Sequence, residues 1–150
     1  MTNGPRVYVD TSALAALLIE QPETEALLAW LDGAPADLVS SDLLETEMRR
    51  IAVREGLDQA DVTRLLDGVS LAALDRAAFR GAALLPMPYL RTLDAIHLEA
   101  ALRLQVDAVL TYDHRLTEAA LALGVDVVAP GAGERSEEHT SELQSHELIS

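Results

Sequence analysis

The strongest constraint on the fold lies near the start of the chain. There Arg6-Val7-Tyr8-Val9 runs straight into Asp10-Thr11-Ser12 and then into an apolar stretch, Ala13-Leu14-Ala15-Ala16-Leu17-Leu18-Ile19. A short β-branched and aromatic run predicts a strand, and the apolar stretch predicts a helix. A strand that hands over directly to a helix is the first half of a βαβ unit. In open α/β sheets, chemistry collects at the carboxyl ends of the strands, and Asp10 stands at such an end. Asp, Ser and Thr are also the preferred helix N-caps, so capping is the competing reading of Asp10, Thr11 and Ser12.

The same two patterns alternate along the rest of the chain. Residues 23–31 predict a helix with acids in its first turn, as the helix dipole favours. Asp32-Gly33-Ala34-Pro35 ends it, and Trp30 and Leu31 are expected in the core. Leu38-Val39-Ser40 predicts a strand. Ser41 or Asp42 then caps a helix running to Glu55, closed by Gly56. A further helix runs from Asp58 or Asp61 to near Gly68, a strand covers 69–74 (a continuous helix being the alternative), and a helix over 76–85 stops at Pro86-Met87-Pro88. Thr92 is expected to cap a helix to Leu104. A buried strand follows over 107–112, then a helix over 116–123 closed by Gly124, and a last strand over 125–128. Strands alternating with helices predict a parallel α/β sandwich.

Three more acids fall at places where chemistry is expected. In the helix after Ser41, residues Leu44, Met48 and Ile51 form the buried stripe. At 100° per residue, Glu47 lies roughly 60° from that stripe, while Glu45 lies roughly 100° away on the other flank. Glu47 is therefore the better inward-looking acid. Asp94, Leu98 and Ala101 share one helix face, which puts a carboxylate on an apolar stripe. Such a charge needs a partner, because burying it unpaired is very costly; backbone N–H groups at the helix start are one candidate. His97 reads as a structural or surface residue rather than a ligand. Asp113 ends the strand over 107–112.

Composition narrows the chemistry. Among 150 residues there is no cysteine, and every basic side chain other than histidine is Arg. Without Lys or a Gly-rich loop, a Walker phosphate site is excluded. A receiver domain, which normally sets a Lys beside its acidic pocket, is disfavoured on the same ground. A haloacid-dehalogenase-like phosphatase needs a second Asp where this chain has Ser12. The net charge of −14 argues against a simple basic nucleic-acid binder, though divalent cations can bridge acids to phosphates. No signal peptide or membrane span is expected at the start of the chain or within it, and a cytoplasmic location is the default.

Residues 1–133 are expected to form one domain, with 134–150 a separate tail. Arg135 to Ser145 resembles a conceptual translation of a common sequencing-adapter oligonucleotide, the alternative being a natural acidic disordered segment. Removing the one Arg and four Glu of residues 135–150 changes the net charge from −14 to −11, so the acidic character stands.

Taken together, Val9-Asp10-Thr11-Ser12-Ala13-Leu14, Ser40-Ser41 followed by Glu47, Arg91-Thr92-Leu93-Asp94-Ala95-Ile96-His97-Leu98 and Leu110-Thr111-Tyr112-Asp113 resemble the PIN-domain ribonucleases, and within them the toxins of VapBC-type modules. The pieces come in family order and cover nearly all of residues 6 to 129. The resemblance implies a three-layer α/β/α sandwich with a parallel sheet in the order 3-2-1-4-5. It also implies a metal-dependent endoribonuclease, a homodimer, a VapB-like antitoxin partner, and tRNA or rRNA as substrate. Asp10, Glu47, Asp94 and Asp113 are then the expected catalytic acids. Two like charges about 4 Å apart repel by roughly 4 kcal/mol at an effective dielectric near 20, so such a cluster calls for a cation. All-oxygen ligands suit Mg²⁺, or Mn²⁺, over zinc. Thr11, Ser12 and Thr111 are expected to bond the acids or a phosphate, and Arg91 and Arg115 to hold the RNA backbone. The rival reading is a catalytically inactive PIN-like module that binds RNA or protein.

Overall fold

The computed structural model describes residues 4–33 and 35–133. The chain forms β1 (Arg6–Val9), α1 (Thr11–Leu18), α2 (Thr24–Gly33), β2 (Asp37–Ser41), α3 (Asp42–Glu55), α4 (Gln59–Leu66) and β3 (Ser70–Ala72), and continues with α5 (Arg76–Ala83), α6 (Thr92–Arg103), β4 (Ala108–Leu110), α7 (His114–Ala122) and β5 (Asp126–Val128). The five strands make one sheet in the order β3-β2-β1-β4-β5. Every pairing is parallel, as the alternation of strands and helices predicts.

Strand side chains point alternately to the two faces of a sheet. Val7 and Val9 join a core with α1, α3 and α4, whereas Tyr8 joins a second core with α6 and α7. A parallel sheet covered on both faces is the setting in which apolar strands of this kind are stable. In α3 the fully buried positions are Leu44, Met48 and Ala52, with Ile51 at the edge of the stripe. Gly56 closes that helix in the left-handed conformation at φ 69°, where a glycine lacks the Cβ penalty.

Several boundaries differ from expectation: β3 and β4 are shorter than the runs over 69–74 and 107–112, and α7 starts at His114 rather than 116. The N-cap of α6 is Arg91, not Thr92, and no side chain caps that end. Arg91 is in extended backbone and carries no acceptor, so a rule based on capping side chains points one residue too far. The expected tail, 134–150, lies outside the described residues. Among the described residues, no helix is long and apolar enough to cross a membrane.

The strand order has a functional consequence. The chain winds from β1 to β2 and β3 on one side, then returns to β4 and β5 on the other. The crevice at this reversal, beyond the carboxyl ends of β1 and β4, is where ligands bind in open α/β sheets. Asp10 and Asp113 flank it.

Candidate active site

Asp10 follows β1 and is the N-cap of α1, its side chain accepting from Ser12 N, so the capping reading of this residue holds. Its Oδ2 accepts from Ser12 N (3.3 Å), Ser12 Oγ (2.7 Å) and Thr111 Oγ1 (2.8 Å). Its Oδ1 is left facing His97 Nε2 at 3.6 Å. The carboxylate is only 3% exposed; charge-assisted bonds of this kind are what make such burial tolerable.

Ser12 and Thr111 are themselves held. Ser12 Oγ accepts from Tyr112 N at 2.9 Å, and Thr111 Oγ1 accepts from Asp113 N at 3.0 Å. The start of α1 is thereby tied to the loop after β4. Asp113 caps α7 through Oδ1, which accepts from Leu116 N at 2.8 Å. Both Asp10 and Asp113 spend one oxygen on local structure, and the other accepts no hydrogen bond among the described residues.

Glu47 projects from α3. Its Oε1 accepts from Thr11 Oγ1 and from His97 Nε2, each at 2.6 Å. Burial alone would push its carboxyl up, but the bonds from His97 and Thr11 and the histidine's charge outweigh this and hold it below the ordinary carboxylate range. Its Oε2 makes no hydrogen bond among the described residues.

Asp94, in the first turn of α6, is different. Its carboxylate makes no hydrogen bond among the described residues, so it is not satisfied by backbone donors at the helix start. Burial, and then the charges of Asp113 and Asp10, push it up to about 6, with His97 opposing and Glu47 adding to the rise. The other three acids thus act on Asp94 across a single crevice, which the N-termini of α1, α6 and α7 also face. Those helix ends carry partial positive charge and favour anions.

His97 and Tyr8 are the residues that sequence reasoning did not place in the site. His97 is 1% exposed, a structural residue as expected, yet it sits among the acids. Its Nδ1 meets Tyr8 Oη at 2.7 Å, and Tyr8 Oη meets Ser41 Oγ at 3.0 Å. Burial raises the Tyr8 hydroxyl to about 12, so it stays protonated. Burial alone would lower His97, but its bond to Glu47 and the charges of Asp10, Glu47 and Asp94 leave it raised overall. Two signals were available. His97 lies one turn beyond Asp94, and an inward-facing Tyr on a central strand needs a partner for its hydroxyl.

Thr11, Ser12 and Thr111 all bond acids. Arg91 is exposed at the head of α6 and Arg115 is half-buried in the first turn of α7. Neither guanidinium forms an ion pair among the described residues; in the chain Arg91 stands three residues before Asp94 and Arg115 two residues after Asp113.

The donors available to a cation are all carboxylate oxygens: Oδ1 of Asp10, Oε2 of Glu47, the second oxygen of Asp113 and both oxygens of Asp94. This chemistry fits a hard divalent ion. Among the described residues, no three His, Asp or Glu side chains come close enough to enclose an ion unaided.

A PIN-domain family model matches residues 7–121. Two ribonucleases of Mycobacterium tuberculosis resemble the chain closely. VapC47 is 39% identical over 133 residues, 84% of this chain and 98% of its own length. VapC35 is 42% identical over 135 residues, 83% of this chain and 97% of its own length. The fold is similar to that of VapC20 from the same organism, a sarcin–ricin loop cleaving toxin. Its TM-score is 0.65 at 16% identity, covering 75% of this chain and 94% of that one. A toxin–antitoxin complex from Klebsiella pneumoniae contains a chain with TM-score 0.64 at 20% identity, covering 83% and 97%. This chain belongs to the PIN-domain family and, within it, to the VapC ribonucleases.

Proposed function

We propose that this VapC-type ribonuclease is the toxin of a type II toxin–antitoxin module and cuts RNA with a divalent cation held by Asp10, Asp94 and Asp113. The observation that carries this reading is the set of four carboxylates gathered beyond β1 and β4, three of which act on Asp94, each with an oxygen that accepts no hydrogen bond among the described residues. The charge strain on Asp94, raised to about 6 by burial and by Asp113 and Asp10, is what a cation would relieve. Mg²⁺, with Mn²⁺ as a substitute, supplies Lewis acidity toward the phosphate, an acidified water and charge stabilisation of the departing oxygen.

The chain's own residues divide the remaining work. Ser12 and Thr111 fix the orientation of Asp10. Glu47, held in its charged form, accepts a hydrogen bond from the attacking water through Oε2 and sets its line of approach to phosphorus; direct ligation is the other role open to that oxygen. Arg91 and Arg115 flank the acids and bind phosphates on either side of the scissile bond. Their positive charge offsets the acidic background that would otherwise repel RNA.

By analogy with VapC20, whose target is the sarcin–ricin loop, the substrate is structured rRNA or tRNA. The partner is a VapB-like antitoxin, in keeping with relatives solved as toxin–antitoxin complexes. We assign the active form as a cytoplasmic homodimer, with 1–133 as its functional unit.

The test is to incubate the protein with a pool of tRNA and rRNA in Mg²⁺, Mn²⁺ or EDTA, beside Asp94→Asn. Cuts that require metal and vanish in the variant are expected. A folded protein that binds metal but leaves every RNA intact would favour a binding module instead.

A further inference from the structure

We propose that His97 is the positioning residue for Glu47: clamped by Tyr8 and Ser41 from the sheet, it fixes the glutamate so that a single oxygen, Oε2, is presented to the reaction. This rests on the nuclease reading above.

The two side chains come from opposite layers of the sandwich. Glu47 stands on α3, which packs in the core with Val7 and Val9, while His97 stands on α6, which packs in the core with Tyr8. They meet past the carboxyl edge of the sheet at 2.6 Å. A glutamate has three rotatable bonds, and fixing such a side chain costs up to about 2 kcal/mol of rotamer freedom. Here two donors, Thr11 Oγ1 and His97 Nε2, converge on one oxygen at 2.6 Å each. Oε1 is saturated by them, which leaves Oε2 as the working atom.

The imidazole is itself fixed. Its Nδ1 lies 2.7 Å from Tyr8 Oη, its ring packs edge-on against Tyr8 with centroids 5.6 Å apart, and Tyr8 Oη lies 3.0 Å from Ser41 Oγ. The clamp runs from Ser41 at the end of β2, through Tyr8 in β1, to the catalytic edge. Ser41, Tyr8 and His97 are each no more than 1% exposed, and none is needed to touch RNA. Nε2 cannot swing to Asp10 Oδ1, at 3.6 Å, without leaving Glu47. The two acids are thereby kept in separate roles.

The test is a double-mutant cycle on the full chain with a defined RNA, using His97→Ala, Glu47→Ala and the double variant, with folding checked by thermal melting. His97→Ala is expected to lower kcat by about 10–100-fold, the usual cost of losing a residue that orients a metal-site acid, with KM for RNA unchanged. In the Glu47→Ala background the same change is expected to cost less than about twofold, as coupling through one contact requires. His97→Gln, whose amide can still donate to Glu47, is expected to recover part of the loss. Tyr8→Phe is expected to show a smaller fall of the same kind. Should His97→Ala fail to fold, the cycle is run with His97→Leu, which fills the buried site but cannot donate to Glu47, and Tyr8→Phe carries the clamp.

A second readout needs no metal. The short Nε2–H···Oε1 bond predicts a downfield, slowly exchanging ring N–H resonance for His97 in EDTA, lost in Glu47→Ala. An equal cost of the His97 change in both backgrounds, or the same resonance persisting without Glu47, overturns the inference while leaving the nuclease reading intact. A wild-type protein that neither cuts RNA nor binds Mn²⁺ overturns the nuclease reading and this inference with it.

Discussion

Replacing Asp94 by Asn should make the metal-free protein more stable, although it removes an acid we propose to be catalytic. In the folded chain this carboxyl is raised from 3.8 to about 6 by burial and by the charges of Asp113 and Asp10. A raised carboxylate pKa means that the folded state resists the charge. The cost is fully present above about pH 6, fades as pH falls toward 3.8, and is absent below it. At about 1.4 kcal/mol per unit, a shift of this size corresponds to about 3 kcal/mol. Asp94 is only half-buried, so solvent screening reduces this to about 1–2 kcal/mol. For a domain of this size that is a rise of about 4–7 °C in Tm. The assay is thermal denaturation of wild type and Asp94→Asn in EDTA at pH 7.5 and again near pH 4. The variant should melt higher at pH 7.5, and the gap should close at the lower pH. Mg²⁺ should then raise wild type more than the variant, because a ligand stabilises the state that binds it. An Asn variant that melts at or below wild type in EDTA at pH 7.5 would refute the account of Asp94 as a repelled charge.

Other consequences can be checked separately. Ser12→Ala and Thr111→Val, each removing a donor from Asp10 Oδ2, should lower activity by about 10–100-fold with the fold retained; steady-state cleavage with circular dichroism decides. Arg91→Ala and Arg115→Ala should each raise KM for RNA and flatten the slope of log affinity against log salt by about 0.7, the value for one phosphate contact on a single strand. Tyr8→Phe removes a hydroxyl bonded to both Ser41 and His97. It should destabilise the protein by about 1–3 kcal/mol in urea unfolding, because the partners it leaves are buried.

Much of this architecture is visible in the residues. Each strand reads as a short apolar run, and the candidate acids stand at strand ends, on an apolar helix stripe or beside one, where an unpaired charge demands a reason. Asp10 shows why local rules alone leave its role open. Capping and catalysis ask for the same residue at the same place, and only the geometry shows that the local hydrogen bonds gather on one oxygen, Oδ2. Asp94 was legible for a related cause: its position on the stripe signalled a charge without a local partner, and the fold supplies like charges rather than donors. The pairing of Glu47 with His97 was not legible, since the two sit 50 residues apart on helices of opposite layers. No helical wheel places them together. Only the order of the strands, which brings the start of α6 beside α3 past the end of β1, creates the contact.

The most direct test of the central claim, that these acids hold the catalytic cation, is anomalous diffraction from crystals grown with Mn²⁺. A manganese peak is predicted beyond the ends of β1 and β4, with oxygens of Asp10, Asp94 or Asp113 and ordered waters as its ligands, and absent from Asp94→Asn crystals. Crystals of an RNA-cleaving preparation with no manganese at those carboxylates, or with the ion at another site, would contradict it.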